Sequence, residues 1–223
     1  MHCEPNLLVL FLVIIGAYFA LINSVPRPYE VDGCTNDNSY DYYNLALFYN
    51  NKSNYLKKYS TSFRSNSWTI NGLWPSRATT QATYPCNCNS SLSTDTSLIS
   101  NVSNLYWSPE LQIHSYKKYG TCTNMTAFDY VLTTVSLYAL YSPRPVLKKD
   151  RPYDYDELVY LFCSSIDVER NHDCMTLGCV YIDNRQYLSE IGLCLSKQFQ
   201  FRPCPIISVR DEIDNCKKTD IYI

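Results

Sequence analysis

The 223-residue sequence has no internal repeat, no low-complexity linker and little charge. Without repeats or linkers, this length fits one domain of ordinary size together with a removable leader. Charged residues make up 18% of the chain and the formal net charge is −2. Because no strongly basic face is visible, charge alone does not indicate a nucleic-acid-binding protein. The hydrophobic fraction of 46% is enough for a packed core, which excludes a globally disordered chain.

The apolar segment near the start of the chain is too short for a membrane-spanning helix. Residues 7–22 give about 16 apolar positions, against the ~20 that a spanning helix needs. We therefore expect residues 1–24 to be a secretory signal peptide and residues 25–223 the mature domain, secreted or held in the lumen of the secretory or endolysosomal route. The residues before the apolar segment include Glu4 but no Lys or Arg, so a signal anchor is the alternative.

The cysteines lack the spacing of a metal site, although the chain has 11 of them. Cys3 lies in the expected leader, and the even set that remains is typical of a disulfide framework with up to five bridges. The residues considered for a zinc site are Cys86, Cys88, Cys174, Cys179 and His172. Since neither cysteine pair has the two-residue spacing of a zinc ribbon, we expect no metal and no cofactor.

Four glycosylation sequons agree with export. These Asn-x-Ser/Thr tripeptides begin at Asn51, Asn89, Asn101 and Asn124. Sequons are used in chains that pass through the secretory route, so they predict a glycoprotein.

The apolar pattern predicts helices and strands without strict alternation, which is typical of an α+β domain. Strands are predicted at 40–49, 67–70, 178–182 and 186–195, with a turn at 183–185 between the last two. Helices are predicted at 94–105, 126–141 and 155–165. The predicted buried stripe of the second helix is Phe128, Val131, Leu132, Val135, Tyr138 and Ala139.

Two short segments carry the most specific signal. Residues 68–75 read Trp-Thr-Ile-Asn-Gly-Leu-Trp-Pro, and residues 114–122 read His-Ser-Tyr-Lys-Lys-Tyr-Gly-Thr-Cys. They resemble the two active-site segments of the ribonuclease T2 family, T-I-H-G-L-W-P and H-E-W-x-K-H-G-T-C. The resemblance covers most of the mature chain, because 186–195 and 199–205 are similar to the family's last strands. It implies an antiparallel sheet flanked by helices.

The resemblance implies RNA cleavage by transesterification to a cyclic phosphate. That reaction needs a base for the ribose 2′-hydroxyl, an acid for the leaving 5′-oxygen and donors that stabilise the negative charge. By position, Asn71 replaces the histidine that acts as the acid and Tyr119 replaces the histidine that acts as the base. Ser115 replaces the glutamate. His114 and Lys118 match the residues that contact the phosphate, and on a helix they would share one face.

The substitutions remove the proton carriers. An amide does not titrate, and a tyrosine with a reference pKa of about 10 is a poor base near neutral pH. Since each positioned acid or base contributes ~10²–10⁴-fold, losing both costs roughly 10⁴–10⁸-fold. We therefore expect a monomeric pseudo-ribonuclease that retains an RNA-binding cleft. The alternatives are an active enzyme whose rearranged site uses His114, and an extracellular interaction protein on the same fold.

The first motif segment also predicts the surroundings of Asn71 and the role of Trp74. Asn71 is expected where a strand ends and a loop begins, because Gly72 and Pro75 interrupt the strand pattern. Trp74 resembles the family's base-binding tryptophan, and packing is the other interpretation of its ring.

The resemblance also implies disulfide pairs. Cys122 is expected to pair with Cys86 or Cys88. The other pairs implied by the family are Cys194–Cys204 and Cys179–Cys216. A Cys163–Cys174 pair is a further hypothesis, and Cys34 is then left for whichever of Cys86 and Cys88 remains.

Overall fold

A computed structural model of the protein describes most of the chain that follows residue 33. The described ranges are 34–49, 68–78, 84–89, 106–144, 147–148, 151–166, 174–205 and 216–223. They all belong to one compact unit, Asp32–Ile223. The expected signal peptide, the helix expected at 94–105, and Asn51, Asn101 and His172 lie outside these ranges. No helix in the described ranges has the length and apolar character needed to cross a membrane.

Strands and helices follow one another as an α+β arrangement, as predicted. In chain order they are β1 Cys34–Thr35, β2 Tyr42–Tyr49, β3 Trp68–Ser76, β4 Tyr84–Pro85, α1 Pro109–Lys118, α2 Ala127–Tyr141, α3 Tyr155–Ser165, β5 Met175–Ile182, β6 Arg185–Leu195 and β7 Ile221–Tyr222. A 3₁₀ turn at Gly120–Cys122 follows α1. The four long strands form an antiparallel sheet in the order β3-β2-β6-β5, and β7 pairs parallel with β6.

The two faces of this sheet differ sharply in character. Successive side chains of a strand point to opposite faces, and in β2 one face carries apolar residues such as Leu45 and Leu47, both in the hydrophobic core. Helices α2 and α3 contribute Tyr130 and Phe162 to the same core. The opposite face carries small and polar residues in register across the strands: Asn44, Ala46, Gly72, Trp74, Glu190 and Gly192. Gly72 and Trp74 belong to the first motif segment, which therefore contributes to this polar face.

Strand β3 continues through the point where the sequence predicted a loop. It runs from Trp68 to Ser76, so Asn71 lies inside a strand and the expected strand end at residue 70 is wrong. Pro75 is tolerated because β3 is an edge strand of its sheet, where the missing N–H breaks no ladder hydrogen bond. The register shifts at Asn71, since Leu47 pairs with Ile70 and Ala46 pairs with Gly72. Asn71 is therefore the extra residue of a β-bulge, a feature that re-aims a side chain.

Helix α2 begins where the sequence predicted, and Val131 and Tyr138 of the predicted stripe are buried, but the buried face is otherwise different. The Oγ1 of Thr126 caps it by accepting a hydrogen bond from the backbone N–H of Asp129. Phe128 and Leu132, expected in the buried stripe, are exposed, and so is Ala139. The buried positions of the helix are Ala127, Tyr130, Val131, Thr134, Leu137 and Tyr138. The buried stripe is rotated because polar side chains on this face form hydrogen bonds. The hydroxyl of Thr134, for example, donates to the backbone oxygen of Tyr130.

Five disulfides join described residues: Cys34–Cys86, Cys88–Cys122, Cys163–Cys174, Cys179–Cys216 and Cys194–Cys204. Cys88, and not Cys86, is thus the partner of Cys122. All four cysteines that were considered for a zinc site are in disulfides. Within the described ranges, no group of three or more His, Cys, Asp or Glu side chains could hold a metal ion.

Removing the Cys88–Cys122 disulfide should destabilise the protein by more than removing Cys194–Cys204. The two bridges span 34 and 10 residues of sequence, and a longer closed loop restricts the unfolded chain more. We expect the C88A/C122A variant to lose about 4 kcal/mol of unfolding free energy and C194A/C204A about 3 kcal/mol, measured by urea denaturation. An equal or smaller loss for C88A/C122A would contradict this expectation.

Candidate functional site

Helix α1 places His114 and Lys118 one turn apart at its C-terminal half. The helix starts at Ser108, whose Oγ accepts a hydrogen bond from the N–H of Leu111, and Pro109 occupies the first turn. It ends at Tyr119, whose backbone N–H donates to the oxygen of Ser115. Lysines in the last turn suit the negative end of the helix dipole. Residues 114–118, for which the sequence alone did not predict a secondary structure, are therefore helical.

The end of α1 is tied to the segment around Cys88. The backbone N–H of Asn87 donates to the oxygen of Lys118 over 2.8 Å, and the Cys88–Cys122 disulfide closes next to it. These two links bring Tyr84, on β4, close to Lys118 and Tyr119. Tyr84 was not singled out in the sequence, because it lies in neither of the two motif segments.

Asn71 is engaged by a carboxylate that sequence reasoning missed. Its Nδ2 donates a hydrogen bond to Oε1 of Glu190 over 2.9 Å. Glu190 lies on β6 and is only 3% exposed, whereas Asn71 is partly exposed. The available signal was that Glu190 is the single charged residue of 186–195, since burying a carboxylate is costly without a donor.

Ser115 is part of a buried hydrogen-bond lock. The hydroxyl of Tyr130 donates to the backbone oxygen of Leu73 over 2.8 Å and accepts from the N–H of Leu73. Ser115 Oγ lies 2.8 Å from the same hydroxyl. Because the Tyr130 hydroxyl donates its one hydrogen to the backbone oxygen of Leu73, the Ser115 hydroxyl is the donor in its hydrogen bond with Tyr130. The lock joins α1, α2 and β3, and both side chains are almost fully buried.

There is little space around Ser115. A Cβ built on Gly72 would lie 2.4 Å from Ser115 Oγ, which is shorter than any ordinary contact. Position 115 therefore holds a small hydroxyl side chain that closes a gap between α1 and β3.

Tyr119 is packed in a row of aromatic rings. Its ring centroid lies 5.3 Å from that of Trp74 and 6.1 Å from that of Tyr84. Tyr119 is 8% exposed and Trp74 is 6% exposed, so these rings are packed against protein atoms. The Nζ of Lys118 lies 5.4 Å from the centre of the Tyr119 ring, within cation–π distance.

His114 is exposed on the outer side of α1. Its pKa is lowered, chiefly because neighbouring protein atoms displace part of its hydration and secondly because Lys118 is positively charged. It is the one histidine in the described ranges. The structure thus brings Ser115 and Tyr119 next to Gly72 and Trp74 of β3. Lys118 lies beside the Tyr119 ring, His114 is on the exposed side of α1, and Asn71 contacts Glu190.

Comparisons with known proteins identify the family of the chain. The family model of the Ribonuclease T2 family matches residues 40–204. Ribonuclease Oy from Magallana gigas is 30% identical over 162 residues, which cover 61% of this chain and 74% of that protein. The chain therefore belongs to the ribonuclease T2 family.

Solved structures show the same fold. An RNase-related protein from Calystegia sepium superposes with a TM-score of 0.59 at 19% identity, covering 82% of this chain and 97% of that one. RNase NT in complex with 5′-AMP gives a TM-score of 0.60 at 16% identity, with coverages of 82% and 98%. A single-residue mutant of RNase MC1 in complex with 5′-UMP gives 0.61 at 17%, with coverages of 82% and 99%. The antiparallel sheet with flanking helices is thus confirmed.

Proposed function

We propose that this protein is a secreted ribonuclease T2-family member that binds RNA but has lost, or nearly lost, the ability to cleave it. The observation that carries the proposal is that the side chains at positions 71 and 119 are an amide and a phenol, each in contact with other residues of the protein. Asn71 is hydrogen-bonded to Glu190, and the Tyr119 ring is packed against Trp74 and Tyr84. Neither side chain can carry a proton to or from RNA near neutral pH.

The remaining groups do not replace the lost proton carriers. Lys118 can stabilise phosphate charge as a hydrogen-bond donor, which is a different role from that of the missing base. His114 could serve as only one of the two proton carriers that transesterification needs. An enzyme that lacks one of the two proton carriers is expected to be slower by about 10²–10⁴-fold. The rearranged-enzyme alternative would require His114 to perform both roles.

Binding has independent support. His114 and Lys118 lie one turn apart on α1, which suits contact with a single phosphate. Two structures with the same fold, RNase NT and the RNase MC1 mutant, carry 5′-AMP and 5′-UMP. Nucleotide recognition is therefore compatible with this fold, and a phosphate contact is what the two retained side chains provide.

Lys118→Ala should weaken RNA binding more than Lys117→Ala. Lys117 is an exposed neighbour on the same helix, whereas Lys118 is half-buried beside the Tyr119 ring, so Lys117 is the matched control for a general loss of charge. We expect Lys118→Ala to raise Kd for a single-stranded RNA oligomer about tenfold and to reduce the salt slope by about 1. Fluorescence anisotropy at several salt concentrations measures both. Equal effects of the two variants would favour the extracellular interaction protein.

RNA affinity should rise as the pH falls below the ordinary titration range of histidine. Since the pKa of His114 is lowered, its imidazolium forms only below about pH 6.5 and then adds a second positive charge beside Lys118. Affinity should therefore be lower and constant above this range and should increase in acid. His114→Ala should remove the increase, in anisotropy titrations between about pH 4.5 and 7.5. An unchanged pH profile in His114→Ala would contradict a phosphate contact by this residue.

The secretory route is part of the same proposal. The five disulfides suit an oxidising compartment, and residues 1–24 have the character of a signal peptide. Two of the four sequon asparagines, Asn89 and Asn124, lie in the described ranges and are exposed, as glycan attachment requires. Mass spectrometry of the protein from a secreting host would identify the mature N-terminus and the occupied sequons.

A further inference from the structure

Glu190 is a buried carboxylate placed on the polar face of the sheet. It pairs with Phe48 of β2 and Gly178 of β5 in the backbone register and is 3% exposed. A buried carboxylate is strongly disfavoured unless it accepts hydrogen bonds. Asn71 Nδ2 supplies one at 2.9 Å. Neither motif segment contains Glu190, and 119 residues separate it from Asn71.

The contact crosses a strand. In the sheet order β3-β2-β6, the strands that carry Asn71 and Glu190 are separated by β2. Neighbouring strands lie about 4.8 Å apart, so the two backbones are about 10 Å apart and both side chains must reach over β2. On β2 the partner of Glu190 is Phe48; Ala46, two residues away on the same face, pairs with Gly72 on one side and Gly192 on the other. These small residues leave the space, and the β-bulge at Asn71 aims its side chain into it.

The chemistry of this pair fixes the orientation of the Asn71 amide. An ionised carboxylate only accepts hydrogen bonds, so the NH₂ group of the amide must face Glu190. The amide oxygen then faces away from Glu190. The hydrogen bond that Asn71 donates to this buried strand residue thereby determines which polar atoms position 71 offers on its exposed side.

We propose that Glu190 is the positioning residue for position 71: it holds the asparagine amide in the present protein and would hold the N–H of an imidazole at the same position. This inference rests on the proposed function, in which the loss of a proton carrier at position 71 disables cleavage. A carboxylate next to an imidazole fixes its ring orientation and stabilises its protonated form. An acid at this position needs that protonated form. The protein has thus lost the proton carrier and kept the residue that would orient it.

The test compares the imidazole introduced by Asn71→His with and without Glu190. The pKa of that imidazole is measured by NMR pH titration in N71H, N71H/E190Q and N71H/E190D, using N71H/H114A to assign its signal. We expect the pKa in N71H to exceed that in N71H/E190Q by at least about one unit, since the opposite charge is removed while the shape is kept. The shorter carboxylate in N71H/E190D should give an intermediate value.

Each result of the titration either supports or overturns the role of Glu190 as the positioning residue. Equal pKa values in N71H and N71H/E190Q, or a lower value in N71H, would overturn the proposal. If N71H/E190Q does not fold, the comparison of N71H with N71H/E190D decides it, and equal values there overturn it as well. The titration involves neither RNA nor turnover. A protein that proves to be an active ribonuclease would therefore refute the proposed function and leave this result unaffected.

Discussion

Ser115→Glu, the substitution that restores the family's residue at this position, should destabilise the protein by about 5 kcal/mol or more. Ser115 is 1% exposed, and its Oγ already lies 2.4 Å from where a Cβ on Gly72 would be. The Tyr130 hydroxyl beside it gives its proton to Leu73 and cannot donate to a new carboxylate. A glutamate here would be larger than the serine that it replaces and would bury a charge where the serine buries none. Urea or thermal denaturation measures the loss.

Two control variants separate the causes. Ser115→Ala removes only the hydrogen bond to Tyr130 and should cost about 1 kcal/mol. Ser115→Gln matches the size of glutamate without its charge. Burial raises the pKa of a carboxyl in the folded protein, so the glutamate variant should approach the glutamine variant below about pH 4 and fall behind it as the pH rises. A glutamate variant as stable as wild type near neutral pH would contradict the lock between Ser115, Tyr130 and Leu73.

The N71H/Y119H variant should cleave RNA at least about 10²-fold faster than wild type. It returns an imidazole to both proton-transfer positions, while His114 and Lys118 remain in place. Position 115 is left as serine because a glutamate there is expected to destabilise the protein. Each single variant should gain far less, because the two groups act as a unit. The measurement is the appearance of a 2′,3′-cyclic phosphate from an RNA oligomer.

The matched control is N71H/Y119F. Phenylalanine preserves the packing against Trp74 and Tyr84 but carries no titratable group, so this variant should remain as slow as wild type. Circular dichroism establishes that each variant is folded. If folded N71H/Y119H is no faster than N71H/Y119F, the missing imidazoles are not the reason for inactivity, and the site has changed in some further way.

Most of the fold was predictable from periodicity and caps. The helix at Tyr155–Ser165 has the predicted bounds, and the predicted turn between β5 and β6 has positive φ at Asp183 and Asn184, as a tight hairpin requires. The prediction of the buried face of α2 was only partly right. Tyr130 and Thr134 are also buried, because they form hydrogen bonds that a hydrophobicity pattern does not detect. Strand β3 was cut short because its edge position, which tolerates Pro75, depends on the sheet order.

The site was predictable only in part. The motif segments identified Asn71, Ser115 and Tyr119 as substituted positions, since the comparison needs nothing beyond local sequence. What those side chains do instead depends on residues distant in sequence: Glu190 lies 119 residues from Asn71, and Leu73 lies 57 residues from Tyr130. Contacts over such separations follow from strand register and the bulge, which local patterns do not specify.

The central claim is that the protein binds RNA without cleaving it. Its most direct test measures cyclic phosphate production and RNA binding by the wild-type protein in parallel at about pH 5 and about pH 7, on either side of the ordinary pKa of histidine, with Ribonuclease Oy as the comparison enzyme. The account predicts turnover at least about 10⁴-fold below that enzyme, together with binding that Lys118→Ala weakens. Turnover at a comparable rate that His114→Ala abolishes would contradict it.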